Sequence, residues 1–159
     1  AGVCRPRLLL TLPFNPAFGS DLMGSVKTVL FVCVENSNRS QMAEAFARIH
    51  GGDGVRACSS GSRPSGRVNP RAVEFMKEVG YDLTTHTSKW LAGFNGQEVE
   101  VAVTMGCGDE CPLVNARRRE EWQIPDPKEM PPEQYREVRD LIERKVKELL
   151  ASLGAERAG

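Results

Sequence analysis

The stretch KTVLFVC at 27–33 constrains this chain most. Its apolar and β-branched residues run without polar alternation, the mark of a strand buried on both faces, and such strands belong to parallel sheets covered by helices. The rest of the chain follows suit. Residues 40–50 read as a helix with Met42, Ala43, Ala45, Phe46 and Ile49 on its apolar face, stopped by Gly51 and Gly52. A second strand is expected at 55–59. Asn69 as N-cap and Pro70 in the first turn open another helix, with Ala72, Val73, Phe75, Met76 and Val79 inside and Gly80 at its end. A short helix is expected around 88–91, a third strand at 99–105 and a fourth at 122–124. The last element is a long amphipathic helix, 131–153, with Tyr135, Val138, Ile142, Val146, Leu149 and Leu153 spaced by three and four. Strands alternating with helices predict one α/β domain with a four-stranded parallel sheet flanked by helices, a three-layer sandwich whose simplest strand order is 2-1-3-4. Ligands of such sheets bind at the carboxyl ends of the strands.

A chain of 159 residues is enough for one core and too short for two ordinary domains. The expected division is an extension without periodicity at 1–24, a domain at 25–153 and a tail at 154–159. The other reading of the extension is an arm that packs Phe14 and Phe18 on the domain. Formal net charge is zero, which argues against a nucleic-acid binder. No stretch approaches membrane-spanning length. The five cysteines, Cys4, Cys33, Cys58, Cys107 and Cys111, are odd in number and irregularly spaced. The apolar run 8–12 is too short for a secretory signal. Free thiols in a reducing, cytoplasmic setting are therefore expected, rather than a disulfide scaffold.

The loop between the first strand and the first helix carries the chemistry. It reads Cys33, Val34, Glu35, Asn36, Ser37, Asn38, Arg39, Ser40, a Cys-x5-Arg pattern followed by Ser. Backbone N–H groups of 34–39 and the positive end of the helix make an anion nest. Arg39 offers a planar fork to two oxygens of a phosphate-like group. These charges favour the anionic, nucleophilic form of the Cys33 sulfur beneath the anion, and Ser40 is placed to donate its hydroxyl to it. The bland alternative is a buried Cys ending a strand.

Two further segments join this loop. In Pro125-Asp126-Pro127 the prolines restrict the backbone around a carboxylic acid placed to protonate a departing oxygen; the alternative is a plain turn Asp. Directly after the third strand come Cys107 and Cys111. If that strand lies beside the first, the two backbones are about 4.8 Å apart, and Cys33 and Cys107 share one sheet edge. Two cysteines four apart could be half of a zinc site, but no matching second pair exists, so no metal is expected and a redox relay is favoured. Cys58 reads as buried core, His50 as a partner of its helix terminus, His86 as a structural hydrogen-bonder, and 117–121 as a solvated charged face.

These residues resemble the thioredoxin-coupled arsenate reductases, built on the low-molecular-weight protein tyrosine phosphatase fold, over about residues 27–152. The resemblance also rests on Arg39-Ser40-Gln41-Met42-Ala43-Glu44, Val68-Asn69-Pro70, His86-Thr87-Ser88 and Cys111-Pro112. It implies that Cys33 attacks arsenate with Asp126 assisting oxygen departure. Cys107 then attacks Cys33 and releases arsenite, and Cys111 attacks Cys107 to leave a disulfide that thioredoxin reduces. A monomer with no cofactor is expected. Three positions depart from the pattern. Glu35 stands where relatives often carry Gly, adding a negative charge and, in prospect, an unusual backbone angle. Lys89 replaces an acidic ligand of potassium-binding members near Asn36 and Ser59. The relay cysteines are closer together than in some members. The competing readings are a phosphatase acting on phosphotyrosine or small phosphoesters, and a thiol-based redox or arsenite sensor.

Overall fold

The computed structural model describes residues 26–94, 96–106 and 114–155, so the extension and the cysteines Cys4, Cys107 and Cys111 lie outside the described residues. The elements are β1 (Lys27–Cys33), α1 (Arg39–His50), β2 (Val55–Gly61), α2 (Pro70–Lys77), 3-10 turns at Leu83–Thr85 and Leu91–Phe94, β3 (Glu98–Thr104), β4 (Asn115–Glu121) and α3 (Pro132–Ser152). The four strands form one parallel sheet in the expected order, β2-β1-β3-β4.

Central β1 explains why its sequence shows no polar alternation: both faces are covered. Val29, Phe31 and Cys33 point into a core built with α1, α2 and α3, while Leu30 and Val32 enter a second core with Cys58, Leu91, Phe94, Ala102 and Val114. The period of two thus puts Cys33 on the side of α1, at the carboxyl edge of the sheet. Among the described residues, the layer on the second face is the short 3-10 turn Leu91–Phe94. No helix of the described residues is long and apolar enough to cross a membrane.

Three local expectations are corrected. The fourth strand is Asn115–Glu121, not 122–124, so the charged run 117–121 is the exposed edge strand itself. Its polar side chains stay in water while its backbone pairs with β3, and edge strands are commonly charged. Trp122 and Ile124 are buried, but as loop residues under the sheet edge. Val79 lies past the end of α2 and is exposed, leaving Ala72, Phe75 and Met76 as that helix's buried face. The short helix expected around 88–91 is displaced: 88–90 lie between the two 3-10 turns, and the second turn, Leu91–Phe94, begins only at Leu91.

Candidate active site

Cys33 is buried and its thiol is free. Its sulfur lies 2.8 Å from Ser40 Oγ, at the start of α1. Which of the two donates follows from their neighbour. Asn36 Oδ1 accepts from the Lys89 backbone N–H at 2.8 Å and from Gln41 Nε2 at 3.0 Å, which fixes its amide orientation. Asn36 Nδ2 therefore donates to Ser40 Oγ at 2.9 Å, and the Ser40 proton is left to point at the sulfur. Asn36 is also the loop residue with a positive φ, 48°, which Asn tolerates better than most. The special backbone angle foreseen for Glu35 thus falls one residue later.

The loop's carbonyls are tied outward. Ser62 N–H donates to Cys33 O, Arg63 N–H to Val34 O, Ser65 N–H to Glu35 O and Asn69 N–H to Ser37 O, while Gln41 Nε2 donates to Asn36 O. In a trans peptide the N–H opposes the C=O, so the N–H groups turn towards the space above Cys33. Gly61 permits this close packing: a Cβ there would lie 2.5 Å from Val34 O. The open cleft is about 180 Å³ and is lined by Cys33, Val34, Glu35, Ser37, Asn38, Arg39, Asp126 and Lys128. That is small beside the roughly 300–1,000 Å³ of sites for drug-sized ligands, and it suits a small oxyanion. Arg39 donates to Ile124 O at 2.8 Å, which orients its fork. Asp126 is exposed at the cleft and accepts from the Lys128 backbone N–H at 3.1 Å. Lys128 Nζ approaches Glu35 at 3.8 Å, so the negative charge of Glu35 at the rim faces a cation.

The family model for low molecular weight phosphotyrosine protein phosphatases matches residues 28–158. A glutaredoxin arsenate reductase from Synechocystis is 38% identical over 131 residues, 80% of this chain and 99% of the relative. An arsenate reductase solved in the phosphate-binding state shares 38% identity at a TM-score of 0.72, covering 80% of this chain and 98% of that one. A thioredoxin-dependent arsenate reductase from Corynebacterium glutamicum shares 28% identity at a TM-score of 0.66, covering 84% of this chain and 64% of that one. The chain belongs to the low-molecular-weight phosphotyrosine phosphatase family, in its arsenate reductase branch.

Around this candidate site lies a polar network whose parts the sequence displayed without their roles. Glu44 of α1 is buried beside His86 Nδ1 at 2.8 Å, Ser59 Oγ at 3.1 Å and Lys89 Nζ at 3.8 Å. Burial pushes its carboxyl up, but the hydrogen bond from His86 and the charges of His86, Lys89 and Arg48 outweigh it, and the net shift is downward. Burial holds the Lys89 ammonium below its ordinary range, against the pull of Glu44. Lys89 Nζ also donates to Thr87 O at 2.6 Å. His86 bridges Gln41, Glu44 and, through Nε2, the Tyr81 hydroxyl at 2.7 Å. His50 pairs with Glu143 of α3 at 2.8 Å. Cys58 is buried in the second core as expected, but it is disulfide-bonded rather than a free thiol. Among the described residues no group of three or more His, Cys, Asp or Glu is arranged to hold a metal ion. Two supporting residues escaped the sequence reading: Arg71, and Tyr135, read only as core. Their one sequence signal was position, next to Asn69-Pro70 and on the inner face of the last helix.

Proposed function

We propose that this protein reduces arsenate to arsenite with Cys33 as nucleophile. The observation that carries the reading is the Asn36–Ser40–Cys33 chain of hydrogen bonds beneath a loop whose N–H groups and Arg39 face a small cleft. Arsenate binds over Cys33 with its oxygens on the N–H groups of 34–39 and on Arg39. The thiolate attacks arsenic, an oxygen leaves as water after taking a proton from Asp126, and an S–As(V) bond forms. Cys107 then attacks Cys33 sulfur. The S–As bond breaks with its electron pair going to arsenic, giving arsenite and a Cys33–Cys107 disulfide. Two thiols supply the two electrons. Cys111 attacks Cys107, freeing Cys33, and thioredoxin reduces the Cys107–Cys111 disulfide. What supports Cys107 is its chain neighbour. Gly106, with φ 75°, lies so near Arg39 that a Cβ there would come 3.3 Å from its Nη1. The chain therefore enters 107–113 beside the anion loop. The protein acts as a monomer in the cytoplasm and uses no cofactor.

The test is arsenite production with NADPH, thioredoxin reductase and thioredoxin, run beside glutaredoxin with glutathione because the Synechocystis relative is named for that reductant. Turnover with thioredoxin is expected. Aryl-phosphate hydrolysis without arsenate turnover under either system would establish the phosphatase reading instead. Against that reading, Asp126-Pro127 is followed by Lys128 and Glu129 rather than by aromatic residues that would grip a phosphotyrosine ring.

A further inference from the structure

Arg71, in the first turn of α2, spends its charge in an unusual place. Among the described residues it forms no ion pair with a carboxylate. Its guanidinium instead donates to three carbonyls of one short loop: Nη1 to Lys128 O at 2.8 Å and to Pro127 O at 3.4 Å, and Nη2 to Met130 O at 2.6 Å. It lies over the rings of Tyr135 and Phe75, 4.8 Å and 5.6 Å from their centroids, and those rings stack on each other at 4.4 Å. The planar cation is thus fixed by aromatic faces on one side and delivers a fork of donors on the other.

The loop it grips begins at Asp126. The Lys128 N–H donates to Asp126 Oδ1, the Lys128 C=O accepts from Arg71, and Met130 N–H closes the turn on Pro127 O at 3.0 Å. The peptide units that set the direction of the Asp126 carboxyl are therefore the ones Arg71 holds. With Oδ1 occupied by Lys128 N–H, Oδ2 is left to carry the transferable proton. Without the guanidinium, the Lys128 and Met130 carbonyls lose this donor, Pro127 O keeps only the Met130 N–H, and the acid loses its fixed approach to the cleft. Misplacement of an acid by an ångström is expensive in rate, because proton transfer needs hydrogen-bond contact with the departing oxygen.

We infer that Arg71 is a positioning residue for arsenate reduction, acting by clamping the 126–130 loop so that Asp126 meets the departing oxygen. This rests on Asp126 being the acid of the proposed mechanism. The experiment uses the full chain, reduced and freed of reductant, mixed with excess arsenate, with thiol consumption followed through a single turnover. Arg71→Met, Arg71→Lys, Asp126→Asn and the Asp126→Asn/Arg71→Met double variant are compared with the parent. Asp126→Asn is expected to lower the saturated rate by about a hundredfold or more, within the range that general acids contribute, and Arg71→Met, which misplaces the acid without removing it, by about tenfold to a hundredfold. The half-saturating arsenate concentration should stay nearly constant. In the Asp126→Asn background, Arg71→Met should change the rate by less than about twofold, because residues acting as one unit are not additive. Arg71→Lys, which keeps the charge and part of the hydrogen bonding, should fall between the parent and Arg71→Met; it carries the test if Arg71→Met does not fold. Multiplying effects in the double variant, or a raised half-saturation with an unchanged rate, would overturn the clamp while leaving Asp126 as the acid. A parent-like rate in Asp126→Asn would remove the acid itself, and the clamp with it.

Discussion

The Tyr135 hydroxyl donates to Asn38 Oδ1 at 2.7 Å, fastening α3 to the loop between β1 and α1. Both residues are buried, and burial pushes the phenol's pKa well up, so it stays a donor throughout the working pH range. Removing the hydroxyl leaves Asn38 Oδ1 without its phenol donor. Tyr135→Phe should therefore cost about 1–3 kcal/mol of stability, the desolvation cost of a buried unpaired acceptor. It should also weaken arsenate binding more than it slows the saturated single turnover. Denaturant melts together with arsenate titrations read both effects. Unchanged stability would mean that Asn38 finds another donor.

Variants of Cys33 and Ser40 test the proposed nucleophile and the proposed activator separately. Cys33→Ser should abolish arsenate turnover, because a hydroxyl is not ionised at neutral pH in this cradle. Ser40→Ala removes the donor aimed at sulfur but leaves the loop N–H groups and Arg39. It should slow thiol alkylation by iodoacetamide and the single turnover together, by about tenfold, the worth of one hydrogen bond to a charged group. The alkylation assay is run on a variant keeping Cys33 as its one cysteine. An alkylation rate unaffected by Ser40→Ala would remove Ser40 from activation.

The buried Glu44 predicts how stability follows pH. Its carboxyl lies below the ordinary value of 4.5 in the folded chain, so the unfolded chain binds the proton more readily in that interval. The stabilisation is complete above 4.5 and is lost as pH falls through the depressed folded value. Thermal melts of Glu44→Gln should be lower than the parent's at neutral pH and converge on them in acid. A parallel offset at all pH values would show that Glu44 does not carry the acid limb.

Lys89 makes the same cluster a test of ion dependence. Its ammonium stands among Glu44 Oε1 and Thr87 O, where it supplies the positive charge a potassium ion would bring. At equal ionic strength, potassium and sodium should stabilise the parent alike. Lys89→Met leaves those oxygens without the ammonium and should gain a potassium-specific rise in melting temperature. A large potassium-specific rise already present in the parent would show that the ammonium does not fill that place.

How much of this was legible in the sequence depended on whether a residue's partner is local. β1 and its neighbours were readable because central strands bury both faces and need no polar code. α3 was readable because Tyr135, Val138, Ile142, Val146 and Leu149 repeat with the helix period. β4 was not, because NARRREE forms a strand only by pairing its backbone with β3, and its side chains carry no alternation. In the site, the Cys33–Arg39–Ser40 pattern is contiguous and showed itself. Arg71 contacts residues 56 to 59 positions away and Tyr135 reaches Asn38 across 97, so only the fold discloses what they do.

The relay is tested by separating its two cysteines. Gly106 follows β3 so close to Arg39 that an added Cβ would lie 3.3 Å from its Nη1, and Cys107 is the next residue. Cys111 is four residues on, with Gly108 between them. Cys107→Ser should keep the anion loop and Cys33 intact and so retain any aryl-phosphate hydrolysis, yet fail to turn over arsenate, because no thiol is left to take Cys33 sulfur from arsenic. Cys111→Ser should complete the first reduction and then stall as a Cys33–Cys107 disulfide. Thioredoxin should reduce that disulfide poorly, since one of its sulfurs is the buried Cys33. Peptide mapping of the oxidised proteins identifies the joined pair, and counting arsenite per enzyme distinguishes no turnover from one. Wild-type rates with thioredoxin in both variants would dismiss the relay and leave Cys33, Arg39 and Asp126 as the machinery of a phosphatase.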